Sequence, residues 1–287
     1  MSFWKGKKVL VTGGAGFIGS HLVDYLITNG ANVIVTSHNQ KSERVLKNLA
    51  EMKNKVELIE VDLTNSKEAI LAVKGVDVVF HLAAMVGGVQ YNINHPATIL
   101  TINTRITTNI LEALNKWEIE RAVIVSSACV YPEKYDFPLS EDLGFSGEPD
   151  QTKFGYAWSK RFDEILAKSY HDEFGLNIGI ARPFNVYGPR DIFDPVKSHV
   201  IPSIIYKLKE NIPIKICGNG EQERSFIYVE DVVVGIAKIA ELYPKPDPIN
   251  LGSSESITVI NLAKKIASIM GKDPRIEFDN CQKKGSV

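Results

Sequence analysis

The sequence predicts an α/β fold with a doubly wound parallel sheet, and two observations support this prediction. Apolar runs rich in valine and isoleucine recur along the chain, and segments with helical periodicity separate them. Because the runs are continuously apolar, they predict strands that are buried on both faces. Strands that alternate with helices build a parallel sheet through right-handed crossovers. The predicted strands are Lys8–Thr12, Asn32–Thr36, Val56–Glu60, Val76–His81, Arg121–Ser126 and Asn177–Ala181.

The spacing of apolar residues also identifies the helices between these strands. Apolar residues recur at helical spacing in Phe17–Asn29, and Gly30 follows as the expected C-cap. A stripe of isoleucines from Ile99 to Leu114 predicts a second helix, and a long helix begins near Tyr156. Each helix therefore has an apolar face that can cover the sheet.

Composition and charge exclude several classes of protein. The 287 residues include 33 Lys+Arg and 34 Asp+Glu, so the chain has no broad field that would attract nucleic acid or anionic lipid. The N-terminus is charged where a signal peptide is apolar, and no stretch approaches the roughly 18 apolar residues of a membrane span. Cys129, Cys217 and Cys281 are scattered and predict neither disulfides nor a metal site. We expect a cytoplasmic protein without metal, nucleic-acid or membrane partners.

A glycine-rich turn directly follows the first predicted strand. Gly13, Gly16 and Gly19 have the spacing G-x-x-G-x-x-G, and Phe17 and Ile18 begin the helical pattern. Glycines let the backbone approach a pyrophosphate, which a helix N-terminus stabilises through free N–H groups and its dipole. Glycines that serve only a tight turn are the alternative. The position after the first strand of an alternating series favours a Rossmann-like dinucleotide site.

Further coenzyme contacts are expected where the third and fourth strands end. Asp62 and Leu63 follow the third strand, where the carboxylate either holds the adenine amine or is a solvated loop residue. Leu82, Ala83 and Ala84 follow the fourth strand, where the ribose of a dinucleotide would pass.

The end of the second strand indicates which coenzyme is bound. A site that prefers NAD usually offers a carboxylate to the ribose 2′-hydroxyl. Ser37 and His38 stand here instead, with Lys41 and Arg44 close behind. We therefore predict NADP, with NAD as the alternative. An exposed basic loop without any coenzyme role would show the same residues.

Tyr156 and Lys160 place a phenol and an ammonium at positions i and i+4 of one helix. A fixed cation stabilises the phenolate, and each unit by which the pKa falls corresponds to ~1.4 kcal/mol. Such a pair also occurs by chance on helix surfaces. Ser127, which follows the fifth strand, strengthens the chemical interpretation because its hydroxyl would face the same crevice.

Five motifs in order resemble one family. They are the glycine turn, Ser126–Tyr131, Tyr156–Lys160, Arg182–Pro189 and Arg224–Asp231. Over about residues 8 to 270 the sequence resembles the extended short-chain dehydrogenase/reductase family, the NAD(P)-dependent nucleotide-sugar epimerases and dehydratases.

This resemblance implies the roles of several residues. Ser127, Tyr156 and Lys160 would be the catalytic triad, and Asn103 would be a supporting polar group. Tyr156 and Lys160 would also contact the coenzyme. Asn185 and Arg224 would contact the diphosphate of the sugar nucleotide.

Two residues point to one branch of the family. Cys129 is similar to the acid-base cysteine position of GDP-L-fucose synthase and GDP-mannose 3,5-epimerase, and the segment around His199 is similar to the one that supplies the acid-base histidine of GDP-L-fucose synthase. Inversion next to a ketone removes a proton on one face and returns it on the other, and thiol and imidazole both titrate near neutral pH. Cysteine is also a common packing residue, and a loop histidine is often only a surface or capping group.

We therefore predict a nucleotide-sugar epimerase, in one version an epimerase-reductase, that acts on a GDP-linked 4-keto hexose. A UDP-hexose 4-epimerase is the alternative, since it needs the triad but neither Cys129 nor His199. A third possibility is an NAD(P)-binding protein that has lost turnover.

The predicted domains follow from a change in composition after Arg182, where prolines interrupt the pattern. Residues 1–181 form a dinucleotide-binding domain, to which residues 226–253 return. Residues 182–225 and 254–287 form a smaller substrate-binding domain. Family members usually continue further, so we expect this domain to be short at its C-terminus. The helices around Ile99–Leu114 and from Tyr156 to about Phe174 are expected to form a homodimer.

Overall fold

A computed structural model describes residues 2–52, 54–133, 139–194 and 198–279. The strands are β1 Lys8–Thr12, β2 Asn32–Ser37, β3 Val56–Glu60, β4 Val78–His81, β5 Arg121–Val125, β6 Ile178–Pro183, β7 Asn185–Tyr187, β8 Ile214–Cys217, β9 Glu223–Tyr228, β10 Pro248–Leu251, β11 Ser256–Thr258 and β12 Ile276–Asp279. The helices are α1 Phe17–Thr28, α2 Glu43–Asn48, α3 Ser66–Val73, α4 Val89–Asn94, α5 Pro96–Lys116, α6 Phe154–Phe174, α7 Val200–Lys209, α8 Val229–Leu242 and α9 Val259–Ile269.

The central sheet is parallel and has the order β3-β2-β1-β4-β5-β6-β10. The predicted doubly wound sheet is therefore confirmed. Strand order reverses between β1 and β4, and ligands of such sheets bind outside the carboxyl ends at this point. The glycine turn after β1 and the segment after β4 both lie there.

Two apolar layers cover the sheet. One packs α1 and α8 against the strands, and Leu22, Leu26 and Ile236 are fully buried in it. The other packs α3, α5 and α6 on the opposite face, around Ile110 and Leu114. The buried strands therefore have apolar neighbours on both sides, as their continuous apolarity predicted.

The largest differences from the sequence prediction lie in short or polar elements. Helices α2, α3 and α4 are six to eight residues long, which gives their apolar residues little room to show a period. Helix α5 begins at Pro96, before the isoleucine stripe, because proline is well suited to the first turn of a helix. Strand β4 begins at Val78 and not at Val76, whose N–H bonds to Val73 in a turn.

Two small sheets lie beyond the central one. Strands β11, β9 and β7 form the first, and β12 pairs with β8 in the second. Residue 226, where the chain was predicted to return to the dinucleotide-binding domain, lies inside β9 of the first small sheet. Strand β10, which belongs to the returning segment 226–253, pairs with β6 in the central sheet. Cys281 and the rest of segment 280–287 lie outside the described residues. Within the described ranges, no helix has both the length and the apolar character needed to cross a bilayer.

Candidate active site

The glycine turn is packed too tightly for side chains. Gly13 has a φ of +69°, and a Cβ there would lie 2.9 Å from the backbone nitrogen of Ala83. A Cβ on Gly19 would lie still closer to the Gly13 carbonyl oxygen. Helix α1 begins after Gly16, which has no side chain to cap the first turn, while Phe17 and Ile18 pack against the core. The first N–H groups of α1 are thus without a side-chain cap at the sheet's switch point.

A buried hydroxyl joins the ends of β1 and β4. The Thr12 Oγ1 accepts N–H groups of Leu82 and Ala83, each at 3.2 Å, and lies 2.8 Å from Nδ1 of His81. These bonds fix the half-buried segment of Leu82, Ala83 and Ala84 beside the glycine turn. The predicted coenzyme residues of both strands therefore face one crevice.

Asp62 follows β3 and His38 follows β2, and the two side chains are near enough to interact electrostatically. The Asp62 carboxylate accepts the hydroxyl and the N–H of Thr64, and the Thr64 hydroxyl is the main cause that lowers the pKa of Asp62. His38 and Arg105 act on the same carboxylate. Leu63 is buried, and its carbonyl accepts the side-chain amide of Asn109 at 2.8 Å.

The Ser37 hydroxyl is engaged in its own turn, where it donates to the Asn39 carbonyl and accepts the Asn39 N–H. It is half-buried, and His38 is exposed. The two side chains at the end of β2 are therefore a hydroxyl and an imidazole. Neither of them is a carboxylate.

Lys160 lies inside the protein. Its side chain is 3% exposed, and Nζ lies 2.9 Å from the Val125 carbonyl and 3.0 Å from Oδ2 of Asp163. Burial lowers the pKa of Lys160, but Asp163, Tyr156 and Glu164 together outweigh it, and the net direction is upward. Lys160 therefore remains an ammonium, fixed at the end of β5.

The structure brings four of the predicted catalytic residues together. The Tyr156 ring centroid is 5.9 Å from Nζ of Lys160. The Tyr156 phenol is hydrogen-bonded to Ser127 and is affected electrostatically by Cys129. Ser127, Cys129 and Tyr156 are half-buried, so they line a surface that a ligand can reach.

The expected effect of Lys160 on the phenol is present but is not dominant. Burial raises the pKa of Tyr156, and the lowering by Lys160 and by the Ser127 hydrogen bond does not offset it. Cys129 and Asp163 add to the rise. The net direction is therefore opposite to the expectation from the Tyr-x-x-x-Lys spacing, because burial and Asp163 were not visible in that spacing.

The two adjacent serines have different environments. Ser126 is buried and donates to the Glu164 carboxylate, which also pairs with Arg182 at 2.7 Å. Ser127 instead accepts the N–H of Cys129 at 3.2 Å and faces the Tyr156 phenol. Ser127 is therefore the hydroxyl available to a substrate.

Asn185 and Arg224 lie in the same small sheet. Asn185 is in β7, which pairs with β9, and its side-chain amide donates to the Ser225 carbonyl at 2.9 Å. Arg224 precedes Ser225 in β9, and its Nη1 donates to the Glu223 carbonyl. The two predicted diphosphate contacts are therefore on neighbouring strands.

His199 forms a pair with a buried carboxylate that the sequence analysis missed. Its Nδ1 lies 3.2 Å from both carboxylate oxygens of Asp191. The His199 side chain is 61% exposed, whereas that of Asp191 is 2% exposed. An imidazole oriented by a buried carboxylate is a common acid-base arrangement, and the carboxylate eight residues upstream was the available signal.

Asn103 is a structural link between elements. Its side chain bonds both backbone groups of Met85 and lies 3.3 Å from the Ser159 hydroxyl. It thereby fixes the loop after β4 against α5 and α6. The Asn103 amide therefore contacts Ser159, the residue next to Lys160.

The residues at the switch point fit a nicotinamide dinucleotide. The glycine turn leaves no room for a side chain, and the first turn of α1 has no side-chain cap. A phosphate group is the natural ligand of such a helix start. Tyr156 and Lys160 lie on the adjoining part of the crevice, after β5.

Comparisons with known proteins agree with this geometry. The model of the NAD dependent epimerase/dehydratase family matches residues 9–252. A dTDP-4-dehydro-6-deoxy-D-allose reductase of Streptomyces bikiniensis is 35% identical, with 96% of this chain and 85% of that protein covered. A probable GDP-L-fucose synthase of Drosophila melanogaster is 29% identical, over 97% of this chain and 86% of that one.

A solved structure shows the same fold. The UDP-N-acetylglucosamine 4-epimerase from Methanobrevibacter ruminantium M1, in complex with UDP-N-acetylmuramic acid, superposes with a TM-score of 0.88 at 30% identity. The match covers 98% of this chain and 88% of that one. The chain therefore belongs to the NAD dependent epimerase/dehydratase family and is an NAD(P)-dependent sugar-nucleotide enzyme of the extended short-chain dehydrogenase/reductase type.

Proposed function

We propose that this enzyme reduces the 4-keto group of a nucleoside-diphosphate-linked hexose and epimerises the sugar beside that ketone. The observation that supports the proposal most strongly is the cluster of Tyr156, Lys160, Ser127 and Cys129 after β5. A reductase needs Tyr156, Lys160 and Ser127. The Cys129 thiol has a chemical role only if a proton next to the ketone is also exchanged.

Each residue has a defined task in the proposed reaction. Ser127 hydrogen-bonds the C4 oxygen, and Tyr156 donates its proton as negative charge develops there. Lys160 holds a positive charge beside the phenol. The bound coenzyme supplies the hydride that C4 receives. Asn185 and Arg224 would hold the sugar nucleotide through its diphosphate.

Epimerisation uses a second pair of groups in this proposal. A ketone at C4 makes the protons on C3 and C5 acidic, and inversion requires a base on one face and an acid on the other. Cys129 and His199 would take these parts, with Asp191 orienting the imidazole. The half-buried Cys129 thiol near the phenol is consistent with one of the two roles.

Replacing Cys129 by Ser tests this assignment. In D₂O, the wild-type enzyme should incorporate deuterium at C3 or C5 of a 4-keto sugar nucleotide. Cys129→Ser should slow this exchange by about 10² to 10⁴, while reduction at C4 continues. Cys217→Ser is the matched control, because it makes the same chemical change at a cysteine with no predicted role.

The result also separates this proposal from a UDP-hexose 4-epimerase, the activity named for the solved structure that superposes well. Such an enzyme oxidises and re-reduces C4 and has no need of the thiol. Interconversion of UDP-sugars that differ at C4, unchanged in Cys129→Ser, would contradict the epimerase-reductase.

The nucleotide of the substrate can be assigned by direct comparison. The motifs around Cys129 and His199 favour a GDP-sugar, and one relative is named for GDP-L-fucose. Another relative is named for a dTDP-linked sugar. We propose the GDP-linked 4-keto hexose, and the dTDP-linked one is the competitor to include in the assay.

For the coenzyme we propose NADP. Ser37 and His38 at the end of β2 would leave a 2′-phosphate without a repelling carboxylate from either residue. Arg105 from α5 acts on the neighbouring Asp62 and adds positive charge there. NADPH is therefore expected to bind more tightly than NADH.

For the assembly we propose a homodimer through α5 and α6. A groove between these helices is lined by Leu100, Phe154, Trp158 and Phe162, and Phe154 is 40% exposed. The indole N–H of Trp158 finds no hydrogen-bond acceptor among the residues that the structure describes. A second copy would cover this apolar surface. Light scattering should give the mass of two chains, and a single-chain mass at working concentration would contradict the dimer.

A further inference from the structure

A buried carboxylate stands directly behind the catalytic lysine. Asp163 is fully buried, and its Oδ2 lies 3.0 Å from Nζ of Lys160, one helical turn away on α6. Among the described residues, the other hydrogen bond of this Nζ goes to the Val125 carbonyl. Asp163 therefore compensates the one positive charge that the proposed mechanism places beside Tyr156.

A chain of hydrogen bonds leads from the end of β1, next to the glycine turn, towards this pair. Because Thr12 Oγ1 accepts the N–H groups of Leu82 and Ala83, its own hydrogen is left to donate to Nδ1 of His81. The His81 Nε2 then carries a hydrogen and donates to Thr107 Oγ1, 3.1 Å away.

The chain ends at Thr107, beside the carboxylate. Burial raises the pKa of Asp163, and Lys160 and the Thr107 hydroxyl lower it only in part. Among the described residues Oδ1 of Asp163 has no hydrogen-bond partner, while Oδ2 holds Lys160. Burial lowers the pKa of His81 to about 3, so this imidazole is neutral. The chain thus carries no charge between the strand ends and the Asp163–Lys160 pair.

We propose that Asp163 is a positioning residue that holds Lys160 in place and partly offsets its charge, which favours a protonated Tyr156 that can donate its proton to a sugar ketone. This inference rests on the acid-base role proposed for Tyr156. A carboxylate in contact with an ammonium opposes the field that the ammonium exerts on a third group. Together with burial, which raises the pKa of Tyr156 most, this opposition favours the protonated phenol.

Other charged groups also act on the phenol, and Cys129 raises its pKa more than Asp163 does, but among the described residues Asp163 is the carboxylate that forms a salt bridge with Lys160. Glu164 also faces Lys160, but it is paired with Arg182. Cys129 adds to the effect on the phenol from the loop after β5, and His81 on β4 is neutral. Burial raises the pKa of Tyr156 most, and Asp163 acts in the same direction.

The chemistry of the step is consistent with this role. In the reduction, C4 would accept a hydride supplied by the bound coenzyme, the carbonyl π pair would move to oxygen, and the Tyr156 O–H bond would break to protonate that oxygen. The ketone is reduced to an alcohol and the nicotinamide is oxidised. An enzyme that rests with its phenol protonated is prepared for this step.

Titration of the phenol in the coenzyme-free protein tests the proposal without any assay of turnover. Tyrosine labelled with ¹³C at Cζ gives one signal per residue, and Tyr156→Phe identifies the signal of Tyr156. In Asp163→Asn the midpoint for Tyr156 should move to lower pH by about one unit or more. Asp163→Glu should restore it, and Asp172→Asn, a surface change on the same helix, should leave it in place.

The pH dependence of ketone reduction should follow the same shift. The rate depends on the protonated phenol and is lost as pH rises through its pKa, so Asp163→Asn should lose activity at lower pH than the wild type does. A folded Asp163→Asn protein with an unshifted Tyr156 midpoint would overturn the proposal. If that variant does not fold, the ¹³Cγ signal of Asp163 in the wild type decides, since a protonated carboxyl at neutral pH would equally overturn it.

These outcomes are distinct from failure of the proposed function. A shifted midpoint without reduction of any 4-keto sugar would support Asp163 and contradict the proposed reaction. Reduction of a 4-keto sugar with an unshifted midpoint would do the reverse.

Discussion

Tyr156→Phe is expected to lose about 10² to 10⁴ of the turnover number with a 4-keto sugar nucleotide. The change removes only the phenolic oxygen, which is hydrogen-bonded to Ser127 beside Lys160. Without it, the developing negative charge on the C4 oxygen has no positioned proton donor. Coenzyme affinity should be retained, because the glycine turn and helix α1 are unaffected.

Steady-state kinetics and coenzyme titration with the purified variant check this prediction. Tyr170→Phe is the matched control, since Tyr170 is a half-buried tyrosine on the same helix, packed at the second apolar layer. Its turnover should match the wild type. Undiminished turnover in Tyr156→Phe would remove the phenol from the mechanism.

Gly19→Ala is expected to abolish measurable coenzyme binding and to destabilise the fold. The added Cβ would meet the Gly13 carbonyl oxygen and would lie 2.9 Å from the Cα of Gly14. Both are backbone atoms of the glycine turn, so the turn itself must shift. Overpacking of this kind typically costs about 1 to 3 kcal/mol of unfolding free energy.

Fluorescence titration with NADPH and NADH, together with thermal unfolding, measures both consequences. Gly235→Ala is the matched control, because this helical glycine faces only the end of the Leu251 side chain, which can rotate. The control should bind both coenzymes like the wild type, with NADPH the tighter ligand. Normal NADPH affinity in Gly19→Ala would contradict the assignment of the glycine turn to the coenzyme.

Much of the fold could be predicted because its signals are local. The strands that build the central sheet are continuous apolar runs, and the glycines after β1 mark the turn into α1. The i, i+4 spacing of Tyr156 and Lys160 likewise requires only a helix. Short elements such as α2 and α4 were not predicted, since six residues show too little of a helical period.

The electrostatics of the site could not be predicted, because they depend on burial and on contacts from other elements. The spacing of Tyr156 and Lys160 gave the correct sign for the effect of the ammonium but not the larger, opposite effect of burial. Asp163 was present in the sequence at i+3 from Lys160, and only the structure shows that it is buried there. The pairing of His199 with Asp191 also depends on the path of a loop.

In the proposed reaction, Tyr156, Lys160 and Ser127 support the reduction of the C4 ketone of a sugar nucleotide by a bound nicotinamide coenzyme. NADPH deuterated at C4 of the nicotinamide tests this claim most directly, by mass spectrometry and NMR of the product. We predict that deuterium appears at C4 of the sugar when a GDP- or dTDP-linked 4-keto hexose is the substrate. Two results would contradict the proposed reaction. One is full consumption of such a substrate without deuterium from the coenzyme at C4 of the sugar, and the other is no reaction with either the GDP-linked or the dTDP-linked hexose.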